Sequence, residues 1–477
     1  MSGPGERMIR ELWRLNALPD WLRPERLKDA ILRNVPEFAS GTFTLEEVRP
    51  RRIHLKDETP GGTFKLLFEA NEDDHREVQL VGHFAPERCA DLSAAPCRVP
   101  LGQTGWHCAL PELGLVLESP PPDTALPAHP VLTDARQARA LLEQVIRAGS
   151  PSYTDLRIER CTPHVARHNP GSRCTVVYRL EYGPEAVGRD WPGVVVAKTH
   201  RGDKGRLAYA SMCALWETGL RWSTAVAIAE PLGFHPELRV LVQRGVPGDS
   251  TLGDRLESVL LGGREHEREE LRMLLARTAR GLATLHGCGA HGEVYAWEQE
   301  LLEVRERIGR LAAWIPGFAA ALEPALARLE ALAISHPADR PVASHRSFRP
   351  AQVLVSEGQI AFIDFDGFGE AEPATDLALF RASMKQNVLR SGERASWQEI
   401  SSFRTQETLS ELDELCELFL AEYERLTPVS RERVALWETL YLLENLLSTW
   451  EKVRSEHLGS SIALFEHHLR QHRLLLP

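Results

Sequence analysis

The chain has 477 residues, of which 43% are hydrophobic and 26% are charged, and this size and balance are typical of a soluble globular protein with two or three domains. A formal net charge of −11 argues against a general nucleic-acid binder, which usually carries an excess of Lys and Arg. There is no signal-peptide core at the N-terminus and no stretch of about 18 uninterrupted apolar residues, so the sequence predicts a cytoplasmic protein with no membrane partner.

Residues 1–130 are predicted to form an N-terminal α+β domain. Apolar residues recur at helical spacing in "MIRELWRLNALPDWL", within residues 1–40. The stretches "GTFKLLFEA", "REVQLVGHF" and "GWHCAL" are short and rich in β-formers, as in a small antiparallel sheet. The proline-rich connector "ESPPPDTALPAHP" (118–130) then interrupts both helix and sheet. No motif here points to a reaction, so this domain is expected either to cover the next one or to bind a protein partner.

Residues 131–245 are predicted to hold one helix followed by a strand-rich segment. The helix begins with a cap at Thr133 or Asp134. Four apolar residues line one of its faces, namely Ala138, Leu141, Leu142 and Val145. Strands are predicted in "RCTVVYRLEY", "GVVVAKTH" and "RVLVQRG", with one helical stretch, "GRLAYASMCALWETGL", between the last two. Strands, one helix and then further strands are the layout of a protein-kinase N-lobe.

Residues 246–477 are predicted to be mostly helical, apart from a hairpin in "QVLVSEGQIAFIDFD". Several acidic residues of the last long helices are expected to face solvent rather than to hold a cationic ligand, namely Glu417, Glu422, Glu438 and Glu444. Aromatic residues at helical spacing in the same region are expected to pack in the core, namely Trp437, Tyr441 and Trp450.

Lys198 ends the apolar strand "GVVVAKTH", where burial of its ammonium group is costly unless anionic partners are present. A Lys in this place matches the V-A-I-K motif, whose Lys pairs with the α- and β-phosphates of a nucleotide. Glu217, in the following helical stretch, is the predicted ion-pair partner of Lys198. The alternative for Glu217 is simple exposure at the end of the helix.

The stretch "VASHRSFRPAQVLV" (342–355) matches the catalytic loop H-R-D-L-x-x-x-N with its Asp replaced. His345 and Arg346 occupy the first two positions, and Gln352 stands in the metal-binding Asn position. Ser347 stands where the catalytic Asp would be. Because serine does not accept a proton at neutral pH, the usual general base of a phosphoryl transfer is missing here. His345 is expected to pack beneath the loop.

Asp364 closes the apolar strand of "IAFIDFDGFG", where an unpaired carboxylate would be badly desolvated. A role as a hard oxygen ligand for Mg²⁺ accounts for a carboxylate in this place. Asp366 is predicted to be either a second ligand or the cap of the turn at Gly367. It is also the nearest carboxylate that could take over from the missing base.

Taken in order, "RHNPGSRCTVVYRLEY", "VVVAKTH", "LVQRGVPGDSTL", "SHRSFRPAQVLV" and "AFIDFDGFGEAEPATDLALF" resemble the aminoglycoside phosphotransferase family over roughly residues 150–390. Those proteins are small-molecule kinases with a protein-kinase-like fold. The resemblance implies an α+β, bilobal protein-kinase-like fold with an extra N-terminal α+β domain. Residues 131–245 would be the N-lobe and residues 246–477 the C-lobe. ATP and Mg²⁺ are the implied cofactors.

The resemblance also implies roles for single residues. Gln243 joins Lys198 and Glu217 in nucleotide binding, and Gln352 and Asp364 are the metal ligands. Asp376, in "ATDLA", corresponds to a structural Asp that braces the catalytic loop. The usual glycine-rich flap is absent, and the turn "HNPGSR" (168–173) is the candidate to replace it.

The chain departs from the family pattern beyond Ser347. Arg349 stands where related branches have Tyr or His, and Glu372 and Pro373 stand where many have Gly-Asp-Pro. Gln352 matches a branch that carries H-R-D-F-x-x-x-Q, so it is not itself a defect. Arg349 makes the acceptor side more basic, which favours an anionic ligand.

Two functions are compatible with these residues. The first is an ATP- and Mg²⁺-dependent phosphotransferase that acts on a small hydroxylated molecule and is slowed by about 10²–10⁴-fold because Ser347 gives no general-base help. Lys198 and Asp364 favour this function. The alternative is an inactive pseudokinase that binds nucleotide or serves as a protein-interaction or regulatory module, with residues 1–130 as a candidate partner surface. Arg349 favours the alternative.

Overall fold

Helices dominate the second half of the chain, as the sequence predicts, and most strands precede residue 252. The computed structural model describes residues 4–15, 23–55, 60–70, 74–94, 97–120, 126–394, 402–452 and 457–472. Part of the predicted connector (121–125) and part of the predicted N-terminal helices (16–22) lie outside the described residues. No helix in these ranges is long and apolar enough to cross a membrane.

The elements are numbered in chain order. The helices are α1 (Pro4–Arg14), α2 (Pro24–Asn34), α3 (Pro36–Ala39), α4 (Pro86–Ala94), α5 (His129–Thr133), α6 (Ala135–Gly149), α7 (Lys204–Trp216), α8 (Leu252–Leu260), α9 (Glu265–His286), α10 (Trp297–Ala312), α11 (Phe318–Ser335), α12 (Ala374–Arg394), α13 (Ser402–Glu424), α14 (Arg431–Glu451) and α15 (Leu458–Gln471). The strands are β1 (Thr44–His54), β2 (Gly61–Glu69), β3 (His75–Phe84), β4 (His107–Leu110), β5 (Leu115–Glu118), β6 (Arg160–Asn169), β7 (Arg173–Glu181), β8 (Val194–His200), β9 (Ala227–Ile228), β10 (Pro231–His235), β11 (Val240–Arg244), β12 (Ser250–Thr251), β13 (Val342–Ser344), β14 (Val353–Ser356), β15 (Gln359–Phe362) and β16 (Gly369–Ala371).

The chain divides into two compact units. The first unit consists of Met1–Pro122, Glu298–Leu332 and Leu442–Pro477, and the second of Asp123–Trp297 and Ala333–Tyr441. The first boundary falls close to the predicted end of the N-terminal domain. Two segments that the sequence analysis placed in the C-lobe belong instead to the first unit. An amphipathic pattern shows that one face of a helix is buried, but it does not show which part of the chain buries it.

The first unit contains a five-stranded antiparallel sheet in the order β1-β2-β3-β5-β4. Alternate residues of β2, namely Phe64, Leu66 and Phe68, are buried, as the period-two pattern of a half-buried strand predicts. Phe38 of α3 packs edge-on against Phe68, with 5.6 Å between the ring centroids. The predicted α+β organisation of the N-terminal residues is therefore confirmed.

Helices α10 and α14 meet in the first unit through charged side chains. Arg307 of α10 donates a hydrogen bond of 2.8 Å to Glu451 of α14, and its other terminal nitrogen lies 3.6 Å from Glu444. Glu444 keeps only 20% of its side chain exposed. Burial and the neighbouring carboxylate of Glu300 raise the pKa of Glu444 well above its ordinary value. The expectation that Glu444 faces solvent is wrong, because α10 covers that face of α14.

The second unit contains another five-stranded antiparallel sheet, in the order β10-β11-β8-β7-β6. Helix α6 packs against β6 and β10 and is capped by Asp134, whose side chain accepts a hydrogen bond of 2.8 Å from the Gln137 backbone N–H. The four apolar residues predicted for its inner face are buried. Helix α7 follows β8, the third strand of this sheet in chain order. The predicted order of strands, one helix and further strands is confirmed.

A tight hairpin joins β14 to β15 and confirms the one predicted from the sequence. Ser356 pairs with Gln359, and the two residues between them, Glu357 and Gly358, have φ values of 48° and 73°. Positive φ at both positions is the type I′ turn that suits the twist of antiparallel strands. Strand β9, which the sequence analysis did not predict, adds to β15 in parallel.

A buried charge network links α12, α13 and α14 in the second unit. Glu438, which is fully buried, accepts hydrogen bonds of 2.6 Å from Arg381 and 2.9 Å from Lys385. Lys385 also lies 2.7 Å from Asp413. The expectation that Glu438 faces solvent is wrong, because its charge offsets two buried cations. The aromatic residues expected in the core are buried, Trp437 and Tyr441 in the second unit and Trp450 in the first.

Candidate nucleotide and metal site

Lys198 and Asp364 meet directly at one end of the second unit's sheet. The Lys198 Nζ atom lies 2.8 Å from Asp364 Oδ1 and 3.9 Å from Asp366 Oδ1. Only 11% of the lysine side chain is exposed, compared with 31% for Asp364. Burial of an ammonium group is tolerated when carboxylates neutralise it, and this pair meets that requirement.

The predicted ion pair between Lys198 and Glu217 is not formed. Helix α7 ends at Trp216, and Glu217 is exposed in the C-cap position. Lys198 donates its hydrogen bond to Asp364 instead. Glu217 was predicted to lie inside the helix, but α7 itself contains no acidic residue.

Asp366 lies deeper than Asp364, beside Lys198 and His200. Its side chain is 10% exposed, and Oδ2 lies 3.3 Å from Nε2 of His200. Burial alone would raise the pKa of Asp366, but the contact with His200 and the charges of Lys198, His200 and Lys204 lower it well below its ordinary value. A carboxylate held in this way has little tendency to take a proton, so Asp366 is a poor substitute for the missing base.

His200 was not identified from the sequence, although a signal was present. It follows Lys198 by two residues in "AKTH", and residues two apart on a strand point to the same face of the sheet. A charged or polar pair on one face at the end of a strand therefore indicates a shared environment. The structure places both side chains beside Asp366.

Asp376 binds the backbone of the loop that contains His345, Arg346 and Ser347. This fully buried residue of α12 accepts hydrogen bonds from the backbone N–H groups of His345 and Arg346, each 2.7 Å long. His286 of α9 lies 3.1 Å from the same carboxylate, and its other ring nitrogen lies 2.7 Å from the Tyr423 hydroxyl. These contacts fix the loop between β13 and β14 against α9 and α12.

The ring of His345 orients the hydroxyl of Ser347. His345 Nε2 lies 3.0 Å from the Ile363 carbonyl oxygen, which can only accept, so Nε2 carries the hydrogen. His345 Nδ1 is then an acceptor for the Ser347 hydroxyl, 3.1 Å away. Burial lowers the pKa of His345 in spite of the nearby Asp376 and Asp364 carboxylates, in agreement with a neutral ring.

The two arginines of the loop have different surroundings. Arg346 has a φ of 58°, and its guanidinium lies 3.7 Å from the ring centroid of Tyr295. The Tyr295 backbone N–H donates to the Glu370 carbonyl of β16 at 2.7 Å, so this aromatic residue is held at the edge of the loop. Arg349 is exposed. The contact of Arg346 with Tyr295 was not predicted.

Gln352 offers an oxygen that fits a metal site. Its side-chain Oε1 is buried and has no hydrogen-bond partner in the described part of the chain. The Gln352 carbonyl accepts a hydrogen bond of 3.0 Å from Ile363, which places Gln352 beside the residue before Asp364. One carboxylate and one amide oxygen are hard donors of the kind that Mg²⁺ takes in proteins. Asp364 and Gln352 therefore fit the predicted ion.

Gln243 and Glu372, which the sequence analysis also singled out, are buried in other surroundings than the Lys198–Asp364 ion pair. Gln243 is buried in β11, directly opposite Val196 of the strand that carries Lys198. Glu372 is buried too, and it accepts hydrogen bonds from Arg433 (2.9 Å) and Trp437 (2.6 Å). The unusual Glu372 thus belongs to a structural ion pair.

Residues 213–435 match the family model described as "Phosphotransferase enzyme family" (APH). The match begins within α7, so β6, β7 and β8, including Lys198, precede it. No curated protein sequence matches the chain.

Several solved structures are similar in fold. A choline/ethanolamine kinase family protein from Mesorhizobium loti has 14% identity and a TM-score of 0.45, covering 71% of this chain and 97% of that one. Choline kinase LicA from Streptococcus pneumoniae has 14% identity and a TM-score of 0.43, covering 69% and 99%. A thermostable mutant of aminoglycoside phosphotransferase APH(4)-Ia has 15% identity and a TM-score of 0.43, covering 65% and 95%.

The strand order, the single helix after the third strand and the family match define a protein-kinase-like fold, and the predicted fold class is confirmed. Residues 213–435 match the APH phosphotransferase family model, which confirms the resemblance predicted from the motifs.

Proposed function

We propose that this protein binds ATP together with Mg²⁺ and transfers the γ-phosphoryl group to a hydroxyl group of a small molecule. The observation that carries the proposal is the contact of 2.8 Å between Lys198 and Asp364, two charges from distant parts of the chain. A protein with no anionic ligand and no cation to bind has little need of this pair at a strand end. The family match supports a phosphotransferase rather than another use of the pair.

The side chains divide the work as follows. Asp364 and Gln352 would hold Mg²⁺, which when bound neutralises phosphate charge. Lys198 would exchange its contact with Asp364 for the nucleotide phosphates. Ser347 can hydrogen-bond an acceptor hydroxyl but cannot remove its proton. Because phosphoryl transfer depends mainly on positioning and charge neutralisation, a slow reaction of roughly 10⁻⁴–1 s⁻¹ is still expected.

A second candidate is a pseudokinase that binds nucleotide without transferring phosphate, or that serves as a protein-interaction module. Two observations favour it. The hydroxyl of Ser347 is directed to His345, 3.1 Å away, and Arg349 is exposed on the same loop. Residues 1–130 are the proposed partner surface in that case, and a cytoplasmic location stays a prediction for both functions.

Calorimetric titration with ATP, in excess MgCl₂ and in EDTA, tests the proposal on the wild type and on Asp364→Ala. We expect Mg²⁺-dependent binding that Asp364→Ala removes, because Asp364 is the carboxylate ligand. Asp155→Ala, at a carboxylate that is 76% exposed, is the matched control and should bind as the wild type does. Failure of the wild type to bind ATP with Mg²⁺ would contradict the proposal and leave the fold with a non-catalytic role. An ATP affinity that is the same in MgCl₂ and in EDTA, and the same in the wild type and in Asp364→Ala, would contradict the metal assignment.

A further inference from the structure

Helix α7 offers Lys198 no carboxylate, because none of its residues is acidic. The acidic residues on either side of the helix, Asp203 and Glu217, are both exposed. In protein kinases, the strand lysine is positioned by a Glu of the following helix. Here both anionic neighbours of Lys198, Asp364 and Asp366, come from the segment after β15. Some other contact must therefore hold that segment against α7.

His200 is placed to make this contact. Its side chain is 4% exposed, and Nε2 lies 3.3 Å from Asp366 Oδ2. The ring lies against the first turn of α7, since a Cβ added at Gly205 would be 3.7 Å from His200 Nδ1. Helix α7 also packs directly on the turn Phe365–Gly367. The imidazole thus lies at the point where the strand, the helix and the turn meet.

We propose that the His200–Asp366 contact braces the metal-binding segment, in the place of an ion pair between Lys198 and a helix-borne Glu. The inference rests on the proposed function of the site. Asp364 needs such support, because it has a φ of 71°, a left-handed conformation that a non-glycine residue keeps only when its surroundings hold it. Fixing Asp366 two residues later fixes the direction of the Asp364 carboxylate. His200 is a positioning residue and takes no part in the reaction itself.

Calorimetry on His200→Gln tests the brace. Titration with ATP in excess MgCl₂ should give an affinity about 10–100-fold below that of the wild type, the usual cost of removing a group that orients a metal ligand. Titration in EDTA should give equal affinities for both proteins, because the brace acts through Asp364. His164→Gln changes an exposed histidine of the same sheet and should leave both affinities unchanged.

The double-mutant cycle with Asp366→Asn separates a brace from two independent effects. If the two residues act only through each other, His200→Gln/Asp366→Asn should be no weaker than either single variant. Additive losses, or a wild-type affinity in His200→Gln, would overturn the inference. Tighter Mg²⁺-dependent binding by His200→Gln would also overturn it, since His200 would then compete with the ion for Asp366.

Failure of this inference is distinguishable from failure of the proposed function. Without Mg²⁺-dependent binding by the wild type, the proposed function fails. With such binding intact and His200→Gln unaffected, only the brace fails. If His200→Gln does not fold, as judged by its circular dichroism, Asp366→Asn alone carries the test: Mg²⁺-dependent affinity equal to that of the wild type overturns the brace.

Discussion

Ser347 is held in a way that determines what an acidic replacement would do. Its hydroxyl faces Nδ1 of His345, whose other nitrogen is committed to the Ile363 carbonyl. A carboxylate in the same place would lie beside the His345 ring. In the wild type, burial lowers the pKa of this ring. The new charge would favour a second proton on His345 and would restore a group able to accept a proton from a hydroxyl.

Ser347→Asp is therefore expected to raise the rate of ADP formation from Mg²⁺·ATP by up to about 10²–10⁴-fold, the usual contribution of a general base. A coupled assay of ADP formation measures this rate, with water as the acceptor. Ser347→Asn has the same size without the charge and should stay at the wild-type rate. An active wild type that gains nothing from Ser347→Asp would show that another group already serves as the base.

Asp376 is expected to make a large contribution to the stability of the second unit. Its carboxylate accepts two backbone hydrogen bonds of 2.7 Å, from His345 and Arg346, in a fully buried place. Asp376→Asn would turn an amide NH₂ toward one of these donors and should cost about 2–4 kcal/mol in the free energy of unfolding. Urea unfolding followed by circular dichroism measures the loss. The control Asp155→Asn, at an exposed carboxylate, should change it by less than about 1 kcal/mol.

At the scale of elements, the contact of α10 with α14 is expected to depend on pH. The Glu444 carboxyl of α14 faces Glu300, Glu303 and Arg307 of α10, and burial and Glu300 raise its pKa. Because the folded protein then holds this proton more tightly than the unfolded chain, Glu444 contributes its stability below the unfolded pKa of about 4.3. That contribution is lost as pH rises through the raised pKa of the folded state.

Glu444→Gln should remove this loss, since an amide does not ionise. The melting temperature of the wild type should fall further between pH 5 and pH 8 than that of Glu444→Gln, measured by differential scanning calorimetry. Glu298→Gln, at an exposed position of α10, should follow the wild type. A pH dependence that is identical in all three proteins would refute the role of Glu444.

Element ends were harder to predict than element identities. The stretch containing α7 was predicted as a helix and is one, but its last residue is Trp216, so Glu217 is in the C-cap and faces solvent. Local propensity decides that a helix forms, whereas its exact end depends on capping and packing. Glu217 therefore follows the last of 13 helical residues, and Lys198 pairs with Asp364 instead.

For the whole molecule, the net charge of −11 predicts no binding to duplex DNA. Nucleic-acid affinity arises mostly from cations that neutralise phosphates, and here acidic residues outnumber basic ones. Fluorescence anisotropy of a labelled duplex at about 150 mM salt should stay flat on titration with the protein. A salt-dependent rise at micromolar protein would contradict this prediction, and a basic DNA-binding protein serves as the positive control.

The sequence alone determined the features that depend on neighbouring residues. The strand that carries Lys198, the hairpin before Asp364, a helix cap at Thr133 or Asp134 and the loop with Ser347 all follow from local pattern, and the order of the motifs predicted the resemblance to the matched family model. Only the tertiary structure decided which charges meet. Lys198 and Asp364 are 166 residues apart, and no periodicity reports a contact over that separation.

The same reason explains the remaining surprises. His200 has a role only because Asp366 folds back beside it, and Glu438 is buried only because α12 brings two cations to it. The sequence also did not show that Glu298–Leu332 and Leu442–Pro477 belong to the first unit. An apolar helix face shows that the face is buried, but it does not show which segment covers it. Burial of charge and choice of partner are properties of the packed chain, and they are decided by which segments approach each other in three dimensions.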